Sequence, residues 1–262
     1  MPKESAAPTA LVLIIVAAVV SGCATQPVAH KDPRDPWERS NRAVWNFDMR
    51  LYHKVAQPVG STYTRVTPHF LQVGIGNFFD NAQYPVVFVN DFLQAKFKTG
   101  LTDTGRFIMN STIGLGGLFD PAAAAGIPKN DNDFGRTLGT WGVPPGPYLV
   151  LPFVGPSDIR DTAGKVPDGY LSLQNYLGYT WENLGVQTVY FLDLDARTVI
   201  PVYRLLESQH PFDQYAFARN AYLQQRQYLI RGQSVKTEEQ QEEELERSLQ
   251  DSDPGAGSPP RQ

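Results

Sequence analysis

The chain has 262 residues, is 42 % hydrophobic and only 19 % charged, and carries a formal net charge of −4, where a typical soluble domain is about 25 % charged. It has no basic run of the kind that tracks nucleic acid, and its lone cysteine, Cys23, excludes an intrachain disulfide. With 21 prolines and 22 glycines, many short elements and sharp turns are expected.

The first element is an unbroken apolar run, Leu11 to Val20. It is shorter than the roughly 20 residues needed to cross a bilayer and has the length of a secretory signal core. Val20-Ser21-Gly22-Cys23 follows and resembles a bacterial lipobox, so 1–22 reads as a signal peptide and Cys23 as the lipidated mature N-terminus. Ala24 after the cysteine, in place of Asp, points to the outer membrane. Residues 23–34 read as the lipidated N-terminus and a polar linker, and 35–233 as the folded domain. Residues 234–262 hold eight acids against three bases and read as a disordered acidic tail, too polar to offset chain entropy by burial.

Within the domain, Asp35-Pro36-x-Glu38 reads as a capping box opening a helix. Trp37, Val44, Phe47, Leu51 and Val55 fall on one face, broadened by Trp45, Met49 and Tyr52. From Pro68 to Thr112 the pattern predicts three short helices, with Pro68 and Pro85 in first turns. Asp120-Pro121 caps a short helix that Gly126 ends. The segment Asp133–Asp161 alternates glycines and prolines with Trp141, Tyr148, Leu149, Val150, Leu151 and Phe153, which predicts no regular structure. It is either a stiff loop lining a groove or a loop that merely packs through the core. Beyond it, a hairpin of helices is expected over Asp168–Arg197, broken near Gly178. The last helix places Phe212, Tyr215, Arg219, Tyr222, Arg226 and Leu229 on one face, with Gly232 past its end. Arg219 and Arg226 are candidates for a phosphate headgroup because guanidinium matches phosphate in bidentate geometry. The plainer alternative is that they snorkel or pair with acids.

Enzyme signatures are sparse. There is no Gly-x-Ser-x-Gly elbow, no complete dinucleotide or Walker loop, and the four histidines form no metal-ligand spacing. No catalytic residue, metal or cofactor is expected. "PSDIRD" leaves a hydrolase built on Ser157 as an alternative, and a purely structural tether as another.

Five stretches occur in order: "DPWERSNRAVWNFD", "FVNDFLQAKF", "RFIMNSTIGLGGLFDPA", "DFGRTLGTWGVPPGPYLVLPFVGPSDIRD" and "FDQYAFARNAYLQQRQYLIRG". Together they resemble the MlaA (VacJ) family of outer-membrane phospholipid-transport lipoproteins, from about Asp35 to Gly232. The resemblance implies a mainly α fold: a helical ring with Gly/Pro-rich loops, embedded in the inner leaflet of the outer membrane around an amphipathic central channel. It implies a non-enzymatic role, removing mislocalised phospholipids from the outer leaflet and passing them to a soluble periplasmic lipid carrier, then to an inner-membrane ABC-type complex. Association with an outer-membrane trimeric porin is implied too. Candidate channel or gating residues are Asn46, Phe47 and Asp48 in the family's Asn-Phe motif, Trp141, Tyr148 and Arg160 in the central segment, and Gly164, Gly169 and Gly178 as hinges beside it.

Overall fold

The computed structural model describes residues 32–176, 181–209 and 212–231. The apolar run, Cys23, Gly178, Gly232 and the acidic tail lie outside them. The described residues are mainly helical, with one two-stranded sheet.

Helix α1 (Glu38–Leu51) runs through a single π turn (Tyr52–Ala56) into α2 (Gln57–Val66). The predicted capping box does not form. Trp37 occupies the cap position without a side-chain bond. The Asp35 carboxylate instead accepts from Asn41, Tyr215 and Arg219, and Glu38 pairs with Arg42. The buried face also differs from the apolar stripe. It consists of Asn41, Val44, Trp45 and Asp48, continued by Tyr52, while Trp37, Phe47 and Val55 face out. Two polar residues displace them because the neighbour is a strand with backbone groups to satisfy.

Two helices replace the three expected over 68–112. Helix α3 (His69–Leu93) contains Pro85 in its interior, and α4 (Phe97–Thr112) follows after three residues. Pro85 removes one ladder donor, yet Tyr84, Val86 and Val87 around it are buried, so packing holds the helix through it. The true break is at Ala95, whose φ is 58°. Lys96 N–H donates to Asp91 O and Ala95 N–H to Phe92 O, the Schellman pattern that glycine usually makes. Helix α5 (Pro121–Ala124) starts on Asp120, whose carboxylate accepts from Ala123 N–H, and Gly126 ends that turn at φ 77°.

The glycine- and proline-rich segment is more regular than expected. Asp133 caps α6 (Phe134–Thr140). A hairpin follows, β1 (Tyr148–Leu151) antiparallel to β2 (Gly155–Asp158), with Tyr148 opposite Asp158 and Leu151 opposite Gly155. The hairpin is short, and Phe153 at φ 66° and Gly155 at φ 91° turn it, which hides it from a periodicity reading. Asp158 caps α7 (Ile159–Leu171). A 3-10 turn (Leu173–Tyr176) leads toward α8 (Trp181–Leu194), which passes through a second π turn (Asp195–Val199) into α9 (Ile200–Ser208). Helix α10 (Gln214–Arg231) closes the described chain.

One apolar cluster joins α1, β1, α9 and α10 through Val44, Trp45, Tyr148, Val150, Leu206 and Tyr215. Along α10, Tyr215 and Arg219 are buried and Tyr222 and Arg226 half-buried, but Phe212 stands free of the face. Among the described residues, buried polar and charged side chains outnumber buried apolar ones, while many large apolar side chains are exposed. The exposed set is spread along the chain and includes the start of α3 (Phe70, Leu71, Val73), α4 (Phe97, Leu101, Ile108) and the loop after it (Ile113, Leu115, Phe119). No helix among the described residues is long and apolar enough to cross a membrane.

Candidate functional site

A cavity of about 650 Å³ opens between α3, the hairpin, α7, α8 and α10. Gln83 lines it from α3, Val154, Pro156 and Ser157 from the hairpin, and Tyr190 from α8. Helix α7 contributes Asp161, Lys165, Asp168 and Gly169, and α10 contributes Tyr222 and Arg226. The spacing explains the α7 set: positions 161, 165, 168 and 169 recur at i, i+4, i+7 and i+8, one stripe of a helix.

One wall is an ion lattice. Arg226 donates to both oxygens of Asp133, at 2.6 and 2.8 Å, and pairs with Asp161 at 2.5 Å. Tyr222 Oη donates to Asp161 at 2.6 Å, and Arg160 donates to the same carboxylate at 3.0 Å. Burial works against the charge on Arg226, but Asp133 and Asp161 outweigh it and hold its pKa above the usual arginine value. The lattice ties α6, α7 and α10 together. It needs close backbone approach, which glycine supplies: a Cβ on Gly164 would lie 2.5 Å from Gly135 N.

The opposite end of the stripe is different. Asp168 accepts from Phe134 N–H at 3.1 and 3.0 Å and from Asn90 Nδ2 at 3.0 Å. Those donors are neutral, and burial pushes the Asp168 carboxyl up to about 6 despite them. Thr137 Oγ1 donates to Asn90 Oδ1, and Gln94 Nε2 donates to Thr137 Oγ1 and to Asn132 Oδ1, so Asn90 links Asp168 to a buried polar network.

Of the residues singled out in the sequence, Gly169, Arg226 and the hydrolase candidate Ser157 line this cavity, and Arg160 joins the ion lattice in its wall. The remaining candidates among the described residues contact other parts of the fold. Asp48 accepts from Phe153 N–H at 3.0 Å and Phe47 packs edge-on against the Phe153 ring, so two residues of the Asn-Phe motif hold the hairpin tip, while Asn46 is exposed. Tyr148 is in the apolar core, edge-on to Tyr215. Trp141 Nε1 donates to Leu93 O at 3.0 Å from an exposed position. Arg160 is buried among Asp158 and Asp161, and Gly164 packs α7 on α6. Arg219 bridges Asp32 and Asp35 at 3.2 and 3.0 Å. Cys23 and Gly178 lie outside the described residues. Lys165, Asp168, Gln83 and Tyr190 also line the cavity without a sequence signature of their own; Lys165 and Asp168 share a charged stripe with Asp161 once a helix starts at Ile159.

Ser157, the hydrolase candidate, is buried with its hydroxyl 2.9 Å from Thr162 Oγ1 and 3.4 Å from Asp158 O. These partners supply no general base.

The family model for the MlaA lipoprotein matches residues 33–229. The chain belongs to the MlaA lipoprotein family. It is 32 % identical over 224 residues to the intermembrane phospholipid transport system lipoprotein MlaA of Escherichia coli K12, covering 83 % of this chain and 87 % of that protein. The MlaA protein of Haemophilus influenzae is 30 % identical over 243 residues, covering 88 % and 94 %. Among solved structures, a chain described in work on the structural basis for maintenance of bacterial outer membrane lipid asymmetry superposes with a TM-score of 0.65 at 30 % identity. That match covers 75 % of this chain and 98 % of that one. MlaA family membership thus joins a helical body, an apolar exterior and a charged cavity in one chain.

Proposed function

We propose that this MlaA family member is an outer-membrane lipoprotein, anchored through Cys23 on the periplasmic side. It takes mislocalised phospholipids out of the outer leaflet and hands them to a soluble periplasmic carrier. The observation that carries the reading is an inverted distribution of polarity. Large apolar side chains at the start of α3 and along α4 face outward, and a cavity of about 650 Å³ lined by carboxylates, a lysine and an arginine lies within the same body. Large apolar side chains exposed in such number fit a lipid or protein cover. The absence of a helix long enough to cross a bilayer among the described residues is compatible with seating in one leaflet beside a lipid anchor. The polar cavity then offers a headgroup a route past that apolar exterior. The names of the relatives support phospholipid as cargo, and the family resemblance supports a trimeric porin and a periplasmic carrier as partners.

Purified full-length protein incubated with labelled phospholipid separates transport from hydrolysis. Intact lipid, recovered bound to the protein or in acceptor vesicles, is the expected result. Released fatty acid would replace this reading with the hydrolase. Labelling with a fatty-acid analogue is expected on the wild type and lost on Cys23→Ser, whereas label kept on the mutant would move the anchor elsewhere.

A further inference from the structure

Inside the cavity the charges do not all cancel. Arg226 is committed to Asp133 and Asp161, and Arg160 to Asp158 and Asp161. Two ionisable groups on the cavity wall remain outside this lattice. Lys165 makes no ion pair among the described residues. Among the described residues, Asp168 takes its hydrogen bonds from the neutral donors Phe134 N–H and Asn90 Nδ2, and the Lys165 charge acts on it without an ion-pair contact. The two are three residues apart on α7, neighbours on one helix face, yet they do not close on each other. A carboxylate has about four acceptor sites, and the Asp168 oxygens use three in the bonds above. Room is left for one more donor, on a group that Phe134 and Asn90 hold in place.

We propose that Lys165 and Asp168 form a headgroup clamp selecting a zwitterionic phospholipid with a primary amine. In this clamp the phosphate is taken by the Lys165 ammonium and the lipid ammonium by the Asp168 carboxylate. The proposal rests on the lipid-transport reading above and names the headgroup class that its cavity prefers. An ethanolamine headgroup presents one anion and one N–H-bearing cation a short linker apart, matching the cation and anion that α7 leaves without an ion-pair contact among the described residues. A glycerol headgroup satisfies Lys165 but leaves Asp168 facing a neutral polyol. A choline headgroup has the right charge but no N–H to donate, so it forfeits the charge-assisted bond. Tyr190 and Tyr222 on the same walls give the choline face some compensation, which makes it the sharper control.

The test equilibrates the purified, detergent-solubilised full-length lipoprotein with vesicles of equal parts phosphatidylethanolamine, phosphatidylcholine and phosphatidylglycerol. Bound lipid is then quantified by mass spectrometry. The wild type is expected to hold phosphatidylethanolamine about tenfold over each of the others, the equivalent of one charge-assisted hydrogen bond. Asp168→Asn should bring the three to near equality. Because Asp168 is half-buried and that variant can perturb the fold, Lys165→Gln serves as a second probe at an exposed position. It should lower binding of all three lipids together and keep their ratio. Equal binding by the wild type, a preference that survives Asp168→Asn in a folded protein, or unchanged binding by Lys165→Gln would overturn the clamp alone. If no lipid of any class is bound, the transport reading fails and the clamp with it.

Discussion

Asn41 is a side chain doing the work of a strand edge. Its Nδ2 donates to Tyr148 O at 3.0 Å and its Oδ1 accepts from Val150 N–H at 3.0 Å, so one carboxamide completes the outer edge of β1. Nδ2 also reaches Asp35 at 2.8 Å, and Asp35 in turn gathers Tyr215 and Arg219 from α10. Asn41→Ala would strand several buried groups, each costing roughly 1–3 kcal/mol. A loss of about 2–4 kcal/mol in chemical unfolding is expected. Asn46→Ala, five residues on at an exposed site, should change stability by no more than about 0.5 kcal/mol. Equal effects from the two would remove Asn41 from this role. Burial also sets the pH response. It pushes the carboxyls of Asp158, Asp168 and Asp103 up to about 6, so the folded protein binds protons there that the unfolded chain does not. Stability should therefore rise as the pH falls from 7.5 toward 5. It should drop again below about 4, where Asp32, Asp133 and Asp213, held low by their arginines or pulled down against burial by them, become protonated. A melting temperature that declines steadily from pH 7.5 to 5 would contradict this.

At the scale of elements, the crossing of α6 and α7 depends on Gly135 and Gly164. A methyl at Gly164 would meet backbone at 2.5 Å, whereas one at Gly169 meets only Asn175 Nδ2 at 3.6 Å. Gly164→Ala should cost about 1–3 kcal/mol by forcing the helices apart, and Gly169→Ala should be neutral or stabilising by up to about 1 kcal/mol. Thermal unfolding of the pair reads this directly, and a mild Gly164→Ala would show that the crossing has slack. Deleting Asn46 and Phe47 acts on a different element. Losing two residues turns the rest of α1 by about 200°, which carries Asp48 away from Phe153 N–H and Tyr52 out of the core. Because this loosens the hairpin beside the cavity mouth, uncontrolled lipid leakage is expected in cells rather than simple loss of function. Normal protein levels with a plain loss of transport would count against it.

Elements with clear signals were legible in advance: Asp120 before α5, and α10 from its spacing. The failures share a cause. Asp35, Asn41 and Asp48 look like cap or surface residues until groups more than a hundred residues later claim them: α10 for Asp35, β1 for Asn41 and the hairpin turn for Asp48. Ala95 ends α3 in a conformation that only glycine advertises, and Pro85 marks a helix start that packing overrides. Of the cavity, Arg226 and Gly169 were visible, but the α7 stripe was hidden because its helix begins inside a segment too rich in glycine and proline to predict.

At the scale of the whole molecule, polarity is distributed for a membrane rather than for water. Apolar side chains at the start of α3 and along α4 face out, and many carboxylates, amides and arginines are folded in beside the apolar core. That arrangement fits the proposed lipoprotein, which would pass a headgroup by its polar interior. The most direct test is made in the native cell. The gene for this chain is deleted and phospholipid in the outer leaflet of the outer membrane is measured with an enzyme that modifies only surface-exposed lipid. Outer-leaflet phospholipid should rise severalfold and return to the parental level when the full-length protein is restored. An outer leaflet unchanged by the deletion would contradict the role in phospholipid removal.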